Sequence, residues 1–335
     1  MHRKFQSMSI AKTSWPRLVA DIGGTHARFA LEVQPLELHH VMVLASENFA
    51  SMEAAINHYV TSVGQPRIQH AAFAMANPVL GDVVQMTNHH WTFSIASMRL
   101  AMGWETLLVV NDFSAQALAV PHLTAKDRVK IGGGQAVAQM PIAILGPGTG
   151  LGVSGLIPHR TGYTSIAGEG GHVSFSPYDG LEADIWAYAK QHFDHVSAER
   201  LLSGAGLALI HAALARNKES EAQVLSAPDI IHLALKDEHP LCCHSLEVFS
   251  SMLGSFAGNV ALTLGARGGV YVCGGMVPRF LKAFRQSSFR TRFESKGRLK
   301  PYLAAIPVYV VLNPSTGLLG AAVALQQKLD AENEW

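Results

Sequence analysis

Short apolar runs that stop at glycine recur along the chain. Leu18, Val19 and Ala20 run to Asp21, Gly23-Gly24-Thr25 interrupt, and apolar residues resume at Ala27, Phe29 and Leu31. This predicts a strand, a glycine turn and a return strand. The order recurs downstream: Ile142–Leu145 opens into Gly146-Pro147-Gly148-Thr149-Gly150, and Leu151–Ile157 runs back. A third run, Val270–Cys273, ends in Gly274-Gly275. Other strands are expected at Val41–Leu44, Ile68–Ala76, Val83–Met86, Leu107–Val110 and Ile306–Leu312.

Helical signals fall between them. Ser51 is placed to cap a helix over Met52–Val63, with Glu53 in its first turn. Ser94 is placed to cap Ile95–Met102, which Gly103 ends, and Phe113–Ala119 stops at Pro121. Later helices are expected at Leu181–Gln191, Ser197–Leu202, Leu207–Leu214, Ala227–Leu235, Cys243–Leu264, Phe280–Ser287 and Thr316–Leu329. Gly204-Ala205-Gly206 reads as a separator, and Asn217–Glu221 as an exposed polar stretch. In the Cys243–Leu264 helix, Gly254, Ala257 and Gly258 would let another backbone approach closely. The charged run Lys126–Lys130 and Gly132-Gly133-Gly134 suggest a domain boundary nearby. Strands and helices alternate on both sides of it, which predicts two α/β domains with a cleft. The paired strand–glycine–strand signals read as a loosely matched internal duplication.

Composition narrows the class. The chain has 335 residues, 48% hydrophobic and 15% charged, so it can build real cores and is not a disordered chain. A net charge of +1 without a basic stripe steers it toward no nucleic acid. Cys242, Cys243 and Cys273 have neither disulfide nor zinc spacing, which fits a reducing, cytoplasmic setting. The first sixteen residues are polar and basic, read as a frayed extension or an early start rather than a secretory signal. No apolar run is long enough to span a membrane.

The chemistry sits at the strand ends. Gly23 and Gly24 can bare backbone N–H groups to phosphate oxygens, Thr25 adds a hydroxyl, and Asp21 could hold a hydrated divalent ion. A hairpin with no ligand is the alternative. No GxxxxGK[ST] or GxGxxG occurs. Asp112 stands where a Leu-Leu-Val-Val strand meets a helix, a common ligand position in α/β folds. Its carboxylate could take a proton from a substrate hydroxyl while Asn111 fixes another; the alternative is a helix N-cap. Glu169 and His172, in a glycine-rich loop, have the donors and acceptors to suit a polyol such as a sugar, or to brace their own loop. Glu199 follows Ser197 and reads as helix capping. Two phosphate turns and a carboxylate base describe phosphoryl transfer, where a protein positions, screens charge and removes a proton. No G-x-S-x-G supports a serine nucleophile.

Seven blocks extend this reading: DIGGTHAR (Asp21–Arg28), TNHHW (Thr87–Trp91), NDF (Asn111–Phe113), GPGTGLG (Gly146–Gly152), GEGGH (Gly168–His172), HVSAERLLSG (His195–Gly204) and CGGMVPRF (Cys273–Phe280). With them the chain resembles the bacterial glucokinase family over about Leu18 to Leu325. The resemblance implies an α/β, two-domain actin-like ATPase (ribonuclease H-like) fold with an inter-domain cleft. It implies an ATP-dependent transfer to the 6-hydroxyl of D-glucose, with Asp112 as general base. Asn111, Glu169, His172 and Glu199 would bond the other sugar hydroxyls. Asp21, Gly23, Gly24 and Thr25 would face the ATP phosphates, with Mg2+ at Asp21 through water. Gly148, Thr149 and Gly150 would hold phosphate from the other domain, and Gly274 and Gly275 would lie against the adenosine. It further implies a homodimer, a small domain over 17–122 completed by helix 314–330, and a large domain over 123–313. A kinase for another hexose and a non-catalytic sugar sensor are the rival readings. The sensor would lack the base or carry an added DNA-binding domain. The repressor/kinase sugar family usually has a cysteine-rich motif where Val173–Pro177 has no cysteine.

Overall fold

The computed structural model describes residues 15–86, 89–160, 162–216, 225–237 and 239–333. Thr87, Asn88, the Asn217–Glu221 stretch and the first fourteen residues of the extension lie outside the described residues. The chain forms two units, Met1–Ala115 with Gly317–Trp335, and Gln116–Thr316.

The first unit opens with β1 (Arg17–Ile22), β2 (His26–Gln34), β3 (Glu37–Ala45) and α1 (Met52–Ser62). Then come β4 (His70–Met75), β5 (Val83–Gln85), β6 (Thr92–Ser94), α2 (Ile95–Ala101), β7 (Thr106–Asn111) and α3 (Asp112–Ala119), in which the chain passes to the second unit. Ser51 Oγ accepts from Ala54 N–H and Ser94 Oγ from Ser97 N–H, so both expected caps form. The main sheet runs β3-β2-β1-β4-β7. β2 is antiparallel to β1 and β3, while β4 is parallel to β1 and β7.

Strand alternation sends side chains to opposite faces, and each face has its own core. Leu18, Ala20, Phe29, Phe73 and Val109 pack with Met52, Ile56 and Tyr59 of α1 and Met98 of α2. Val19, Ala30, Ala72 and Ala74 pack with Ala115 and with Leu318, Ala321, Ala322 and Leu325 of the closing helix. That second face is mostly alanine, so a helix can lie close to it.

The second unit contains β8 (Arg128–Ile131), β9 (Ile142–Pro147), β10 (Leu151–His159) and β11 (Gly162–Ile166). Its helices are α4 (Gly180–Lys190), α5 (Ala198–Leu201), α6 (Gly204–Arg216), α7 (Ala227–Leu235) and α8 (Pro240–Leu264). β12 (Gly269–Val272), α9 (Leu281–Gln286), α10 (Phe289–Glu294), α11 (Lys300–Ala304) and β13 (Val308–Val311) follow, and α12 (Thr316–Asn333) returns the chain to the first unit. The sheet order is β11-β10-β9-β12-β13-β8. β10 is antiparallel to β9 and β11, β12 is parallel to β9 and β13, and β8 is antiparallel to β13. α8 buries Phe249, Met252, Leu253 and Phe256 in this unit's core. Its glycines do allow close approach, since a Cβ at Gly254 would lie 2.2 Å from Phe289 O and one at Gly258 2.6 Å from Phe293 O of α10.

Several local readings change. The charged run before Gly132, read only as the sign of a nearby boundary, forms an edge strand, β8. The Arg128 guanidinium lies 4.6 Å from the Tyr309 ring centroid and bonds Tyr271 Oη, while Lys130 Nζ donates to Gly134 O at 2.5 Å. Charge suits an edge strand, where it discourages further pairing. Gly204 and Gly206 are in the first turn of α6 and separate nothing. α8 starts at Pro240, where Pro at the first helical position costs no hydrogen bond, and His239 Nδ1 accepts from Cys242 N–H at 3.3 Å. β6, β11, α10 and α11 are additions to the expected elements.

Candidate active site

In the first unit, parallel register brings three strand ends to one edge. Ile22 pairs with Met75, and Met75 with Asn111. Asp21, Asn111 and Asp112 therefore lie along the same end of the sheet. The glycine turn is closed by Gly23 N–H on His26 O at 2.9 Å, and Ser46 N–H donates to Thr25 O at 2.9 Å.

Asp21 and Arg28 are cross-strand partners, and Arg28 Nη1 lies 3.3 Å from Asp21 Oδ2. The Asp21 side chain is only 18% exposed. Burial raises its carboxyl above the usual range, and the Arg28 cation works against that shift. A Cβ on Gly317, in the first turn of α12, would come 2.6 Å from Asp21 Cγ, so that residue leaves a cradle for the carboxylate. Among the described residues no three His, Cys, Asp or Glu side chains converge as a metal cage. A single carboxylate beside a glycine turn has the chemistry to hold a magnesium ion that keeps its waters.

At the end of β7 the capping question resolves onto Asn111. Its Oδ1 accepts from Ser114 N–H at 3.0 Å, the N-cap bond of α3. Asn111 Nδ2 donates to Asp112 Oδ1 at 3.1 Å, and Phe113 N–H donates to the same oxygen at 2.9 Å. Asp112 is thus an oriented carboxylate at a strand end. Asn77, just past the strand expected over Ile68–Ala76, supports this corner. Its carbonyl faces Asn111 Nδ2 at 3.5 Å and its amide donates to Gln85 O at 2.5 Å.

In the second unit, β9 and β12 are parallel neighbours, with Leu145 opposite Val272, so the turns that follow them adjoin. Gly148 N–H donates to Gly150 O at 2.8 Å, and Gly204 N–H donates to Gly148 O at 2.9 Å. Gly274 has φ +84°, with its Cβ position 2.9 Å from Pro147 O, and the space beside Gly275 is open. Cys273, just before them, is buried, which pushes its thiol up to about 12 and makes it inert.

Glu169, His172 and Glu199 come together. His172 Nε2 lies 3.9 Å from Glu169 Oε2, and its Nδ1 lies 3.9 Å from Glu199 Oε1. The loop that carries them is pressed onto β10, because a Cβ at Gly171 would lie 1.9 Å from Leu151 O. Glu199 does not cap its helix. Ser197 Oγ does so, accepting from Arg200 N–H at 3.3 Å, while Glu199 Oε2 accepts from Leu151 N–H at 2.8 Å. Two acids flanking an exposed imidazole can accept from several hydroxyls and donate to one.

Two groups of candidate residues result. The first unit gathers Asp21, Gly23, Gly24, Thr25, Asn111 and Asp112 at one sheet end. The second gathers Gly148, Thr149, Gly150, Glu169, His172 and Glu199, with Gly274 and Gly275 on the adjoining turn. Sequence patterns had assigned no role to Arg28, Asn77 or Gly317, since each acts through a fold contact.

A family model described as Glucokinase matches residues 18–328. A curated relative from Neisseria gonorrhoeae, named Glucokinase, is 54% identical over 315 residues, covering 94% of this chain and 96% of that protein. A crystal structure of glucokinase from an Antarctic psychrotroph superposes with a TM-score of 0.85 at 36% identity, over 93% of this chain and 99% of that one. At the level of fold alone, a glucokinase from Balamuthia mandrillaris, solved in complex with glucose, matches with a TM-score of 0.80 at 19% identity, covering 95% of each chain.

Proposed function

Because the chain belongs to the glucokinase family, we propose that it transfers the γ-phosphoryl group of ATP to the 6-hydroxyl of D-glucose, with Asp112 as general base. The observation that carries the base is the division of labour at the end of β7. Asn111 takes the cap of α3, and two N–H donors fix one oxygen of Asp112. The carboxylate is therefore held at a set orientation, as a general base requires.

Phosphoryl transfer asks for little covalent work from a protein. Asp112 accepts the hydroxyl proton as the sugar oxygen attacks, and ADP leaves. Glu169, His172 and Glu199 accept and donate hydrogen bonds to the other hydroxyls, and Asn111 contributes through its amide. A site that bonds each hydroxyl discriminates against a sugar in which one is missing or inverted. The Asp21–Thr25 and Gly148–Gly150 turns present backbone N–H groups to phosphate, and Gly274 and Gly275 leave room for the adenosine. A magnesium ion, when bound, would screen the phosphate charges, and Asp21 would hold it through water.

Among the described residues no helix is long and apolar enough to cross a membrane, and we extend the family resemblance to a cytoplasmic setting and to a homodimer, which sedimentation equilibrium would test. The activity is tested by ADP release with ATP, magnesium and a hexose panel, identifying each product. Turnover on glucose, with little on mannose, fructose or N-acetylglucosamine, is expected. Comparable turnover on several sugars would make it a broad hexokinase, and sugar binding without turnover would make it a sensor.

A further inference from the structure

Glu199 belongs to two structures at once. Its Oε2 accepts from Leu151 N–H at 2.8 Å, at the point where the Gly148–Gly150 turn enters β10. Its Oε1 lies 3.9 Å from His172 Nδ1, in the loop that also carries Glu169. Gly150 records how tightly the carboxylate fits the turn. A Cβ there would meet Glu199 Oε2 at 2.3 Å, Cδ at 3.1 Å and Oε1 at 3.8 Å, and these are the nearest atoms. The Gly150 backbone is outside the left-handed region, so conformation does not require glycine. What a side chain there would displace is the carboxylate of a residue 49 positions away.

α5, which carries Glu199, is also anchored to the extended segment after His172. Ala198 N–H donates to Val173 O at 2.9 Å, and Phe175 N–H donates to Val196 O at 3.0 Å. The loop with Glu169 and His172, the carboxylate of Glu199 and the glycine turn thus form one connected path.

We propose that Glu199 is a positioning residue for the phosphate turn, and that its carboxylate couples hexose binding to nucleotide binding within the second unit. The proposal rests on the sugar and phosphate roles assigned above. A sugar hydroxyl that donates to Glu199 fixes the carboxylate, and the fixed carboxylate holds Leu151 N–H and the preceding turn in one conformation. Nucleotide then meets a turn already ordered. Such coupling is reciprocal, so a change made in the turn must be felt by the sugar.

The decisive variant is therefore in the turn but is read at the sugar. Gly150→Ala, Glu199→Ala and the double variant would be titrated with glucose alone by calorimetry, and with a non-hydrolysable ATP analogue with and without glucose. Thermal melts would establish that each variant is folded. Gly150→Ala is expected to weaken glucose binding about fivefold or more with no nucleotide present. In the Glu199→Ala background the same change should add less than about twofold, since the group it displaces is gone. Glucose should tighten the analogue in the wild type and not in Glu199→Ala. Glu199→Gln keeps an acceptor for Leu151 N–H and should bind the analogue better than Glu199→Ala. An unchanged glucose affinity in Gly150→Ala, or losses that multiply in the double variant, would overturn the coupling while leaving the kinase reading intact. A wild type that binds no glucose would overturn both. If Gly150→Ala does not fold, the glucose effect on analogue binding in Glu199→Gln and Glu199→Ala decides alone, and persistence in Glu199→Ala refutes the proposal.

Discussion

The sheets of the two units repeat one plan and differ at its working end. β3-β2-β1-β4-β7 and β11-β10-β9-β12-β13 have the same order and the same pattern of parallel and antiparallel neighbours. In each, the hairpin that starts the plan closes on a glycine turn. One pair below the closing pair, the first unit has Asp21 opposite Arg28, and the second has Gly146 opposite Gly152. The first turn carries its carboxylate on its own strand. The second takes one from α5, because Glu199 reaches across to Leu151 N–H. The third parallel strands also correspond. Both end near an asparagine that bonds the backbone ahead of it, Asn111 to Ser114 N–H and Asn313 to Ser315 N–H at 2.8 Å. Only Asn111 is followed by an acid; Pro314 follows Asn313. A duplicated scaffold thus fixes where strand ends and turns go, while single residues at those places decide what they do.

Making one half resemble the other tests this. The largest effect is expected from Asp112→Asn, which leaves the end of β7 without an acid, like the end of β13. Turnover should fall by about 10²–10⁴-fold, with glucose affinity within a few-fold of wild type by calorimetry. Retained turnover would remove Asp112 as the base. Next is Asp21→Gly, which gives the first turn the glycine found at the equivalent place in the second. Steady-state rates should drop by about tenfold or more, with more magnesium needed for half-maximal rate.

Smaller effects separate backbone bracing from chemistry. Asn313→Ala removes the turn bond to Ser315 N–H and the bond to Asp127 Oδ1, should cost about 1 kcal/mol in urea unfolding, and should leave kcat unchanged. Asn111→Ala should cost a similar amount and also lower kcat; equal kinetic behaviour of the two would mean that their surroundings, not their chemistry, are what differ. The least effect is on pH. Burial raises the Asp21 carboxyl above its unfolded value, so the folded state holds that proton more tightly. The site therefore costs stability as pH rises from the ordinary carboxylate range through the raised value. Asp21→Asn should be more stable than wild type at neutral pH, with the gain shrinking as pH falls through that range. An advantage that grew on acidification would contradict the burial argument.

Much of this plan was legible from residue order, for identifiable reasons. Caps at Ser51 and Ser94 and strand–glycine–strand patterns are local, and local physics decided them. β8 was hidden because its Arg128 and Lys130 look solvated in the sequence, and the tyrosines that receive Arg128 come from elsewhere in the fold. Gly204 and Gly206 were misread because a close contact, Gly206 against the Leu201 backbone, needs glycine inside a helix. Asp112 was placed at the right strand end, but whether it or Asn111 capped α3 depended on side-chain orientation. Glu199 passed for a cap because its true partner, Leu151 N–H, is 48 residues upstream. The helix from Thr316 was expected, but its packing on the sheet of the opening strands came from the family resemblance, not from periodicity.

That packing bears on how the protein is made. The face of the first sheet formed by Val19, Ala30, Ala72 and Ala74 is covered by Leu318, Ala321, Ala322 and Leu325. On a ribosome those strands emerge long before their cover. The second unit, Gln116–Thr316, is by then already synthesised and free to fold as a continuous segment. The strands that begin the chain are therefore among the last to be finished, and a nascent chain carries an uncovered apolar sheet face through most of its translation. A chain shortened before Thr316 is expected to keep that face bare and to be held by chaperones, and both effects would trace to this one helix.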